Sequence, residues 1–413
     1  MSGKRVFSIG LLVVLCSPPV MAAETLPVSI KTFPGGHKED GVWSALEAAR
    51  DGKIYMGLCS HGGSGQFYVY NPADGAIDHI ATIQDIVNEL PGREPQGKLH
   101  SQMLEDNQGR IWFGTDMSYP YFMAKWDGPR AYPGGHMMVY DPANKLLSDL
   151  GILFPKAALR VMEMDREREK IYGIAYPTGQ FYTYDMKTGR AAAKGRVSNW
   201  DTVSRAIVLD DDGNVYGSYE PYRIFKYDRV ADKLVDLPVT IPHQDGSRSI
   251  KPSDARETIW RKPVWHPGER VIYAMDRGSS TLFRFNPRSN VIEDLGRLAV
   301  DGYDGNRAAL LTTLTLVLDD QGILYYVALD GSPQRPCHLI AYDTKTGHKR
   351  DLGAMIDNNA GLNAIDLQAA DIGTDGAIYF TGWVRAGSAK TDNSRRLGGT
   401  VMGMVRVDRT ALN

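Results

Sequence analysis

Residues 170–185 read KIYGIAYPTGQFYTYD, and these two short strands around a turn decide the fold. The first half has the form x-I-Y and the second half ends in Y-D. Near copies of the first half occur at 53–55, 110–112, 170–172, 214–216, 271–273, 323–325 and 377–379. Near copies of the second half occur at 69–72, 139–142, 183–185, 226–228, 284–287, 341–343 and 406–408. A period of about 40–60 residues made only of short strands is typical of a β-propeller, so we predict an all-β, seven-bladed β-propeller.

The last repeat has no outer strand of its own after Asp408. Residues 28–33 (VSIKTF) alternate apolar and polar side chains, which predicts a strand. We predict that this N-terminal strand completes the last blade and closes the ring, because closure removes the open sheet edges that favour aggregation. The aromatic residues of the repeated motif are expected to pack between blades.

The first residues have the pattern of a secretory signal. Lys4 and Arg5 precede the apolar run 6–16, and small residues follow up to Ala23. We expect a signal peptide at 1–23 and a single seven-bladed propeller domain at 24–413. The protein is therefore expected to be periplasmic or secreted, with no membrane association after cleavage.

Charge and cysteine content exclude several classes of partner. The formal net charge is −2, with both signs dispersed along the chain, so nothing indicates nucleic-acid binding. Export would permit a disulfide, but Cys59 and Cys337 fall in the first and sixth repeats, which are not neighbours on a ring. We predict that both are buried free thiols and that the protein is a monomer.

The repeat also predicts where a site would form. Residues that open the inner strands and residues that follow the second strands meet at one end of the central channel of a propeller. The polar and aromatic residues that this register places there include His37, His61, His100, Arg160, Tyr176, Arg205, Tyr219, Arg261, Trp265 and Arg277. We predict that His37, Arg160, Tyr219, Arg261, Trp265 and Arg277 bind substrate.

Three successive repeats place an arginine at the inner strand, namely Arg160, Arg205 and Arg261. A buried guanidinium must be paired or must face a polar cavity, because an unpaired buried charge is costly. Ion pairs with Asp116, Glu220 or Asp276 that merely fill the channel are the alternative to substrate binding. On the opposite side, His61 lies in the glycine-rich loop 60–65, where an imidazole is expected to face a cavity.

Histidine, tyrosine and arginine around one pocket suit β-elimination on a uronic acid. The reaction removes a weakly acidic proton next to a carboxylate, and arginine or protonated histidine can offset the developing charge. A histidine or tyrosine can take the proton and another can protonate the leaving oxygen. A polysaccharide or oligosaccharide is therefore the expected substrate, and aromatic residues such as Trp265, Trp383, Tyr119 and Tyr121 either stack on sugar rings or pack in the core.

Three stretches carry a resemblance to a known family: 36–44 (GHKEDGVWS), 59–63 (CSHGG) and 99–102 (LHSQ). They resemble the seven-bladed propeller enzymes that act on rhamnose–glucuronate linkages, which include rhamnosyl-glucuronate lyases, ulvan lyases and related α-L-rhamnosidases. The resemblance implies lyase activity, with catalytic roles for His61, His100, Tyr176 and Arg205. It also implies that His37 matches the histidine on which the rhamnosidases depend.

Two other functions stay open at this stage. An α-L-rhamnosidase-type hydrolase would use a pair of carboxyl groups, for which Asp116, Glu220, Asp276 and Asp330 are available. A non-catalytic propeller that binds a ligand or a protein needs no converging catalytic groups, and the fold alone does not decide between them. No cofactor is predicted. Whether a structural calcium ion lies in the channel, which polysaccharide is the substrate, and whether cleavage is internal or terminal are left open.

Overall fold

The computed structural model describes residues 25–35, 37, 39–90, 92–119, 123–197, 206–219, 222–241, 260–276, 281–298, 315–328, 336–387 and 399–412. The predicted signal peptide lies outside these residues. Within them the chain forms β-strands, with one short α-helix, α1 (Ile83–Ile86), and a 3-10 helix at Arg409–Leu412. No helix in the described part of the chain is long and apolar enough to cross a membrane.

The strands are short. In chain order they are β1 (Thr25–Pro27), β2 (Ser29–Thr32), β3 (Leu46–Ala48), β4 (Ile54–Leu58), β5 (Gln66–Asn71), β6 (Ala76–Thr82), β7 (Lys98–Leu99), β8 (Leu104–Glu105), β9 (Ile111–Asp116), β10 (His136–Asp141), β11 (Leu146–Ile152), β12 (Ala158–Asp165), β13 (Lys170–Tyr176), β14 (Gln180–Asp185), β15 (Arg190–Arg196), β16 (Ile207–Leu209), β17 (Val215–Tyr219), β18 (Arg223–Asp228), β19 (Lys233–Thr240), β20 (Trp260–His266), β21 (Val271–Asp276), β22 (Thr281–Asn286), β23 (Val291–Arg297), β24 (Val317–Leu318), β25 (Ile323–Ala328), β26 (His338–Asp343), β27 (Lys349–Asp357), β28 (Leu362–Ile372), β29 (Ile378–Ala386) and β30 (Val401–Val407).

The strands pair as antiparallel meanders. Four sheets have four strands each: β3-β4-β5-β6, β12-β13-β14-β15, β16-β17-β18-β19 and β20-β21-β22-β23. A fifth sheet contains β7 and β8, which both pair with β9, followed by β10 and β11. The remaining strands form one larger sheet, because the pairing of Ile356 with Asn363 joins β27 to β28. The chain is therefore all-β, as the repeat predicts.

The N-terminal strand pairs with the last strand of the chain. Ser29 lies opposite Arg406 and Thr32 opposite Gly403 in an antiparallel register. The backbone N–H of Ile30 also donates to the Asp357 carboxylate at 2.7 Å. The preceding β1 runs parallel to β27, with Thr25 opposite Ala354. The predicted strand at 28–33 is thus present as Ser29–Thr32 and lies beside β30.

The motif aromatics pack between successive sheets. In six of the seven repeats the aromatic residue of the x-I-Y strand contacts the aromatic residue of the next repeat's Y-D motif. The ring centroids are 5.9 Å apart for Tyr55 and Tyr140, 6.0 Å for Trp112 and Tyr184, 5.7 Å for Tyr172 and Tyr227, 6.1 Å for Tyr216 and Phe285, 6.3 Å for Tyr273 and Tyr342, and 6.0 Å for Tyr379 and Tyr70. The last pair joins the final sheet to the first. The predicted packing role of these aromatics is confirmed.

Close packing between sheets also depends on small residues. Gly114 on β9 lies against Leu159 on β12, and a Cβ at Gly114 would lie 2.4 Å from the Leu159 Cβ and 2.6 Å from its carbonyl oxygen. The two predicted free cysteines, Cys59 and Cys337, are both buried in these interfaces and unbonded to each other, as expected.

Gly114→Ala is therefore expected to destabilise the protein by about 1–3 kcal/mol, because the backbone of β12 must move to admit the methyl group. Urea unfolding at equilibrium would measure the change. Gly35→Ala is a matched control, since no heavy atom lies within 4 Å of a Cβ placed there. Equal stability of the two variants would show that the sheets can separate at Gly114 without cost.

Polar pairs tie the third strand of several sheets to the outer strand. Each pair joins residues thirteen positions apart: Gln66 and His79, His136 and Asp149, Arg223 and Asp236, and His338 and Asp351. His136 differs from the others because its imidazole contacts two carboxylates. Its Nδ1 lies 2.9 Å from Asp149 Oδ2 and its Nε2 lies 3.0 Å from Glu89 Oε1. Burial opposes protonation, but the hydrogen bonds and charges of Asp149 and Glu89 outweigh it and raise the pKa of His136 to about 9.

This geometry predicts a pH-dependent contribution of His136 to stability. Because its folded-state pKa lies above the unfolded value of about 6.5, the contribution is complete below pH 6.5 and is lost as the pH rises through about 9. His136→Gln should therefore cost about 2 kcal/mol at pH 6 and much less near pH 10. Urea unfolding at both pH values, with the exposed His348→Gln as control, measures it. A pH-independent cost would mean that His136 acts only by packing.

Candidate functional site

His61 and Asp40 form a hydrogen-bonded pair at the surface. The Nδ1 atom of His61 lies 2.8 Å from Asp40 Oδ1, and the backbone N–H of His61 donates to the same carboxylate at 3.2 Å. Asp40 reaches this position because Gly41 forms a β-bridge with Cys59, two residues before His61. A carboxylate at Nδ1 favours a proton on that nitrogen, which leaves a free lone pair on Nε2. The His61 side chain is 37% exposed, so Nε2 can act as a general base.

His100 lies in a different environment from His61. Its ring stacks on Trp43 with centroids 5.4 Å apart and planes 18° apart, and Trp43 meets the edge of Trp383 at 6.2 Å. His100 is 4% exposed and Trp383 is 8% exposed. The predicted catalytic residue His100 is therefore part of a buried aromatic wall that joins the first, second and last sheets.

Arg160, Asp116 and Tyr176 form a compact buried group between β9, β12 and β13. The Arg160 Nε donates to Asp116 Oδ2 at 2.7 Å, and the guanidinium carbon lies 3.1 Å from the centre of the Tyr176 ring. Arg160 is the extra residue of a β-bulge, because Leu159 pairs with Ala175 and Val161 pairs with Ile174. The bulge turns its side chain across to Asp116 in the neighbouring sheet.

The charge of this group is balanced internally. Burial alone would lower the pKa of Arg160, but the adjacent Asp116 carboxylate and Tyr176 raise it instead, so the guanidinium stays charged. Arg160, Asp116 and Tyr176 are 5%, 0% and 7% exposed. The ion pair that the sequence left as the alternative to substrate binding is the arrangement found for Arg160.

Three predicted substrate-binding residues lie elsewhere. The Trp265 Nε1 donates to Asp211 Oδ1 at 2.6 Å in the turn between β16 and β17. Trp265 is four residues along β20 from Arg261, or about 13 Å, and therefore lies at the opposite end of the strand. The prediction that Trp265 lies beside Arg261 was wrong. Both residues belong to the same strand, but the prediction did not take into account their separation along it.

Tyr219 and His37 point away from the inner strands. The Tyr219 hydroxyl donates to Asp236 on the outer strand β19, and burial together with this hydrogen bond raises its pKa to about 12. His37 stacks on His79 of the outer strand β6, with ring centroids 3.9 Å apart. The prediction that Tyr219 and His37 lie at the channel was wrong, because each side chain contacts a partner on an outer strand.

Arg261 lies on the inner strand β20. It is the second residue of that strand, pairs with Met275, and is 6% exposed. It follows Trp260, which pairs with the fully buried Asp276. The two remaining predicted residues, Arg205 and Arg277, lie outside the described residues, and so do Tyr121, Glu220 and Asp330.

The inner strands carry carboxylates that the sequence argument did not select. Glu47 on β3 accepts from the Glu105 backbone N–H at 3.2 Å and from Arg166 Nη2 at 3.1 Å. Asp371 on β28 accepts from the Ala48 backbone N–H at 2.9 Å. Burial and the charge of Asp371 raise the pKa of Glu47. These residues link neighbouring inner strands, and in the described part of the chain no three metal-liganding side chains are grouped as a metal site.

Antiparallel sheets that contact one another through their first strands and their motif aromatics define a β-propeller protein. A family model described as "Two component regulator propeller" matches residues 95–117, a segment that contains β7, β8 and β9. A search of curated proteins gives no significant match.

Solved structures with a similar fold cover almost the whole chain. A streptogramin B lyase matches at a TM-score of 0.57 and 9% identity, over 92% of this chain and 98% of that one. The extracellular domain described as part of a hybrid two-component system of B. thetaiotaomicron matches at a TM-score of 0.56 and 14% identity, over 91% of this chain but 39% of that one. A chain of the mitotic checkpoint complex matches at a TM-score of 0.56 and 11% identity, over 91% and 95%. At these identities the likeness concerns the fold alone.

Proposed function

We propose that this chain is an exported, seven-bladed β-propeller that cleaves a uronic-acid-containing polysaccharide or oligosaccharide by β-elimination, at rhamnose–α-1,4-glucuronate linkages. The closed, seven-bladed ring is supported by the β2–β30 pairing and by the contact between Tyr379 and Tyr70, which joins the last sheet to the first. The observation that carries the activity is the His61–Asp40 pair, since it combines an oriented imidazole with a side chain that is 37% exposed.

In the proposed reaction His61 Nε2 takes the proton from the carbon next to the uronate carboxylate. The electron pair of that C–H bond forms the new carbon–carbon double bond. The bond from the adjacent carbon to the glycosidic oxygen breaks, its electron pair stays on that oxygen, and the oxygen takes up a proton from water. Asp40 contributes by holding the imidazole in one orientation and by stabilising the imidazolium that forms.

The remaining predicted roles divide according to position. Arg261, together with Arg205 and Arg277, is proposed to offset the charge of the uronate carboxylate. His100 and Trp383 are proposed to shape the wall of the site, because both are largely buried against Trp43.

The proposal is tested by incubating the protein with gum arabic, ulvan and rhamnosyl-glucuronate oligosaccharides while following the ultraviolet absorbance of an unsaturated uronate. New absorbance that grows with enzyme concentration supports elimination. Free rhamnose without new absorbance would identify a hydrolase of the α-L-rhamnosidase type and would reject the lyase. A hydrolase must use carboxyl groups other than Asp116, which is committed to Arg160.

A non-catalytic binding propeller is the second candidate, and one observation favours it. The Arg160 guanidinium contacts the Asp116 carboxylate and the Tyr176 ring rather than being presented to a ligand. A similar fold also occurs in an extracellular domain of a two-component system. Saturable binding of the same oligosaccharides, with neither absorbance nor released sugar, would establish this candidate.

A further inference from the structure

Ser118 holds the loop that carries His61 from both sides. Its hydroxyl donates to the Ser60 carbonyl oxygen at 2.9 Å and accepts from the Gly62 backbone N–H at 2.5 Å. A hydroxyl can make both bonds at once, since it has one proton and two lone pairs. Ser118 follows β9 and is fully buried. A residue of the second sheet therefore fixes the two peptide groups that flank His61 in the first.

Tyr119 lies next to Ser118 and covers the same loop. A Cβ at Gly62 would lie 2.7 Å from the Tyr119 hydroxyl oxygen. Gly62 also has a φ of +87°, a backbone conformation that favours glycine. The Tyr119 backbone N–H donates at 2.9 Å to Glu94, which is 3% exposed. Tyr119 itself is 36% exposed. Its backbone is fixed by a buried carboxylate while part of its ring stays open to solvent.

We propose that Ser118 is a positioning residue for His61 and that Tyr119 forms a stacking subsite for a sugar ring beside it. The kinetic role of Ser118 rests on the proposed function, whereas the subsite does not require that the chemistry be elimination. The ligand class follows from the surroundings: an aromatic face bordered by the uncharged residues 62–65 suits the apolar face of a pyranose ring. The site therefore lies across the boundary between the first and second sheets.

A double-mutant cycle tests the role of Ser118. Ser118→Ala is expected to lower kcat at least tenfold with little change in KM, and to have no further effect in the His61→Ala background, because it acts through His61. Amide hydrogen exchange of residues 60–62 should increase in the same variant, with the thermal midpoint unchanged within a few degrees. An equal loss of rate in both backgrounds, or unchanged exchange, overturns the role.

Binding tests the subsite independently of turnover. In His61→Ala protein, calorimetric titration with a rhamnosyl-glucuronate tetrasaccharide should show affinity about tenfold lower for Tyr119→Ala and within about twofold for Tyr119→Phe. Unchanged affinity in Tyr119→Ala overturns the subsite. If the wild-type protein gives no unsaturated product but binding still depends on Tyr119, the proposed elimination fails and the subsite stands.

Discussion

His61→Ala is expected to lower turnover of a rhamnose–glucuronate substrate by about a thousandfold, within the range that a positioned general base contributes. The physical reason is specific to this histidine. Its Nδ1 is held by Asp40 at 2.8 Å while its side chain remains 37% exposed, so the His61→Ala change removes the oriented imidazole that is proposed to take the substrate proton. Initial rates of absorbance increase at saturating substrate would measure the loss.

The Asp40→Asn variant tests the contribution of the Asp40 charge separately from proton transfer by His61. The amide keeps the shape of the side chain but removes the negative charge that stabilises the imidazolium, so a loss of about 10–100-fold is expected. His348→Ala is the matched control, because His348 is also exposed but lies in the turn between β26 and β27. Wild-type turnover in His61→Ala would exclude this histidine as the base and would require that another group takes the substrate proton.

The fold was predictable because it depends on a repeated local pattern. Aromatic residues at equivalent positions, such as Tyr55 and Tyr140 or Tyr379 and Tyr70, meet in the same way at successive interfaces. A contact that is repeated around the chain leaves a periodic trace in the sequence. The pairing of Ser29–Thr32 with β30 was predictable for a related reason, since the last repeat has no outer strand of its own.

The site was less predictable because it depends on where individual side chains turn. Trp265 and Arg261 share a strand but lie at its opposite ends, and Tyr219 reaches an outer strand through Asp236. Neither of these side-chain positions leaves a periodic pattern in the sequence from which it could be predicted. Asp40 lies within residues 36–44, which carry the family resemblance. Its contact with His61, however, depends on the Gly41–Cys59 bridge, which joins segments that no local sequence pattern connects. The two bonds from Ser118 to the His61 loop are equally non-local.

Removal of one partner of the Arg160–Asp116 pair is expected to have the largest effect on stability. Asp116→Ala leaves the Arg160 guanidinium in a site where it is 5% exposed and without its carboxylate, which should cost about 3–5 kcal/mol of unfolding free energy. Urea unfolding at pH 7 would measure it. Asp127→Ala is the control, because it breaks an exposed pair with Lys156 and should change stability by less than about 1 kcal/mol.

The double variant Asp116→Leu with Arg160→Met tests whether the Arg160–Asp116 pair only fills the interface or whether Arg160 also contacts the ligand. If the pair only fills the interface, two apolar side chains of similar size should recover most of the lost stability and leave activity and binding intact. If Arg160 also contacts the uronate, the double variant should be stable but bind the tetrasaccharide at least tenfold more weakly. Arg160 emerges at a bulge, a feature that proteins use both to re-aim functional side chains and to bend strands. Measuring both stability and binding on the double variant therefore shows whether Arg160 contacts the ligand or serves only to hold the interface together.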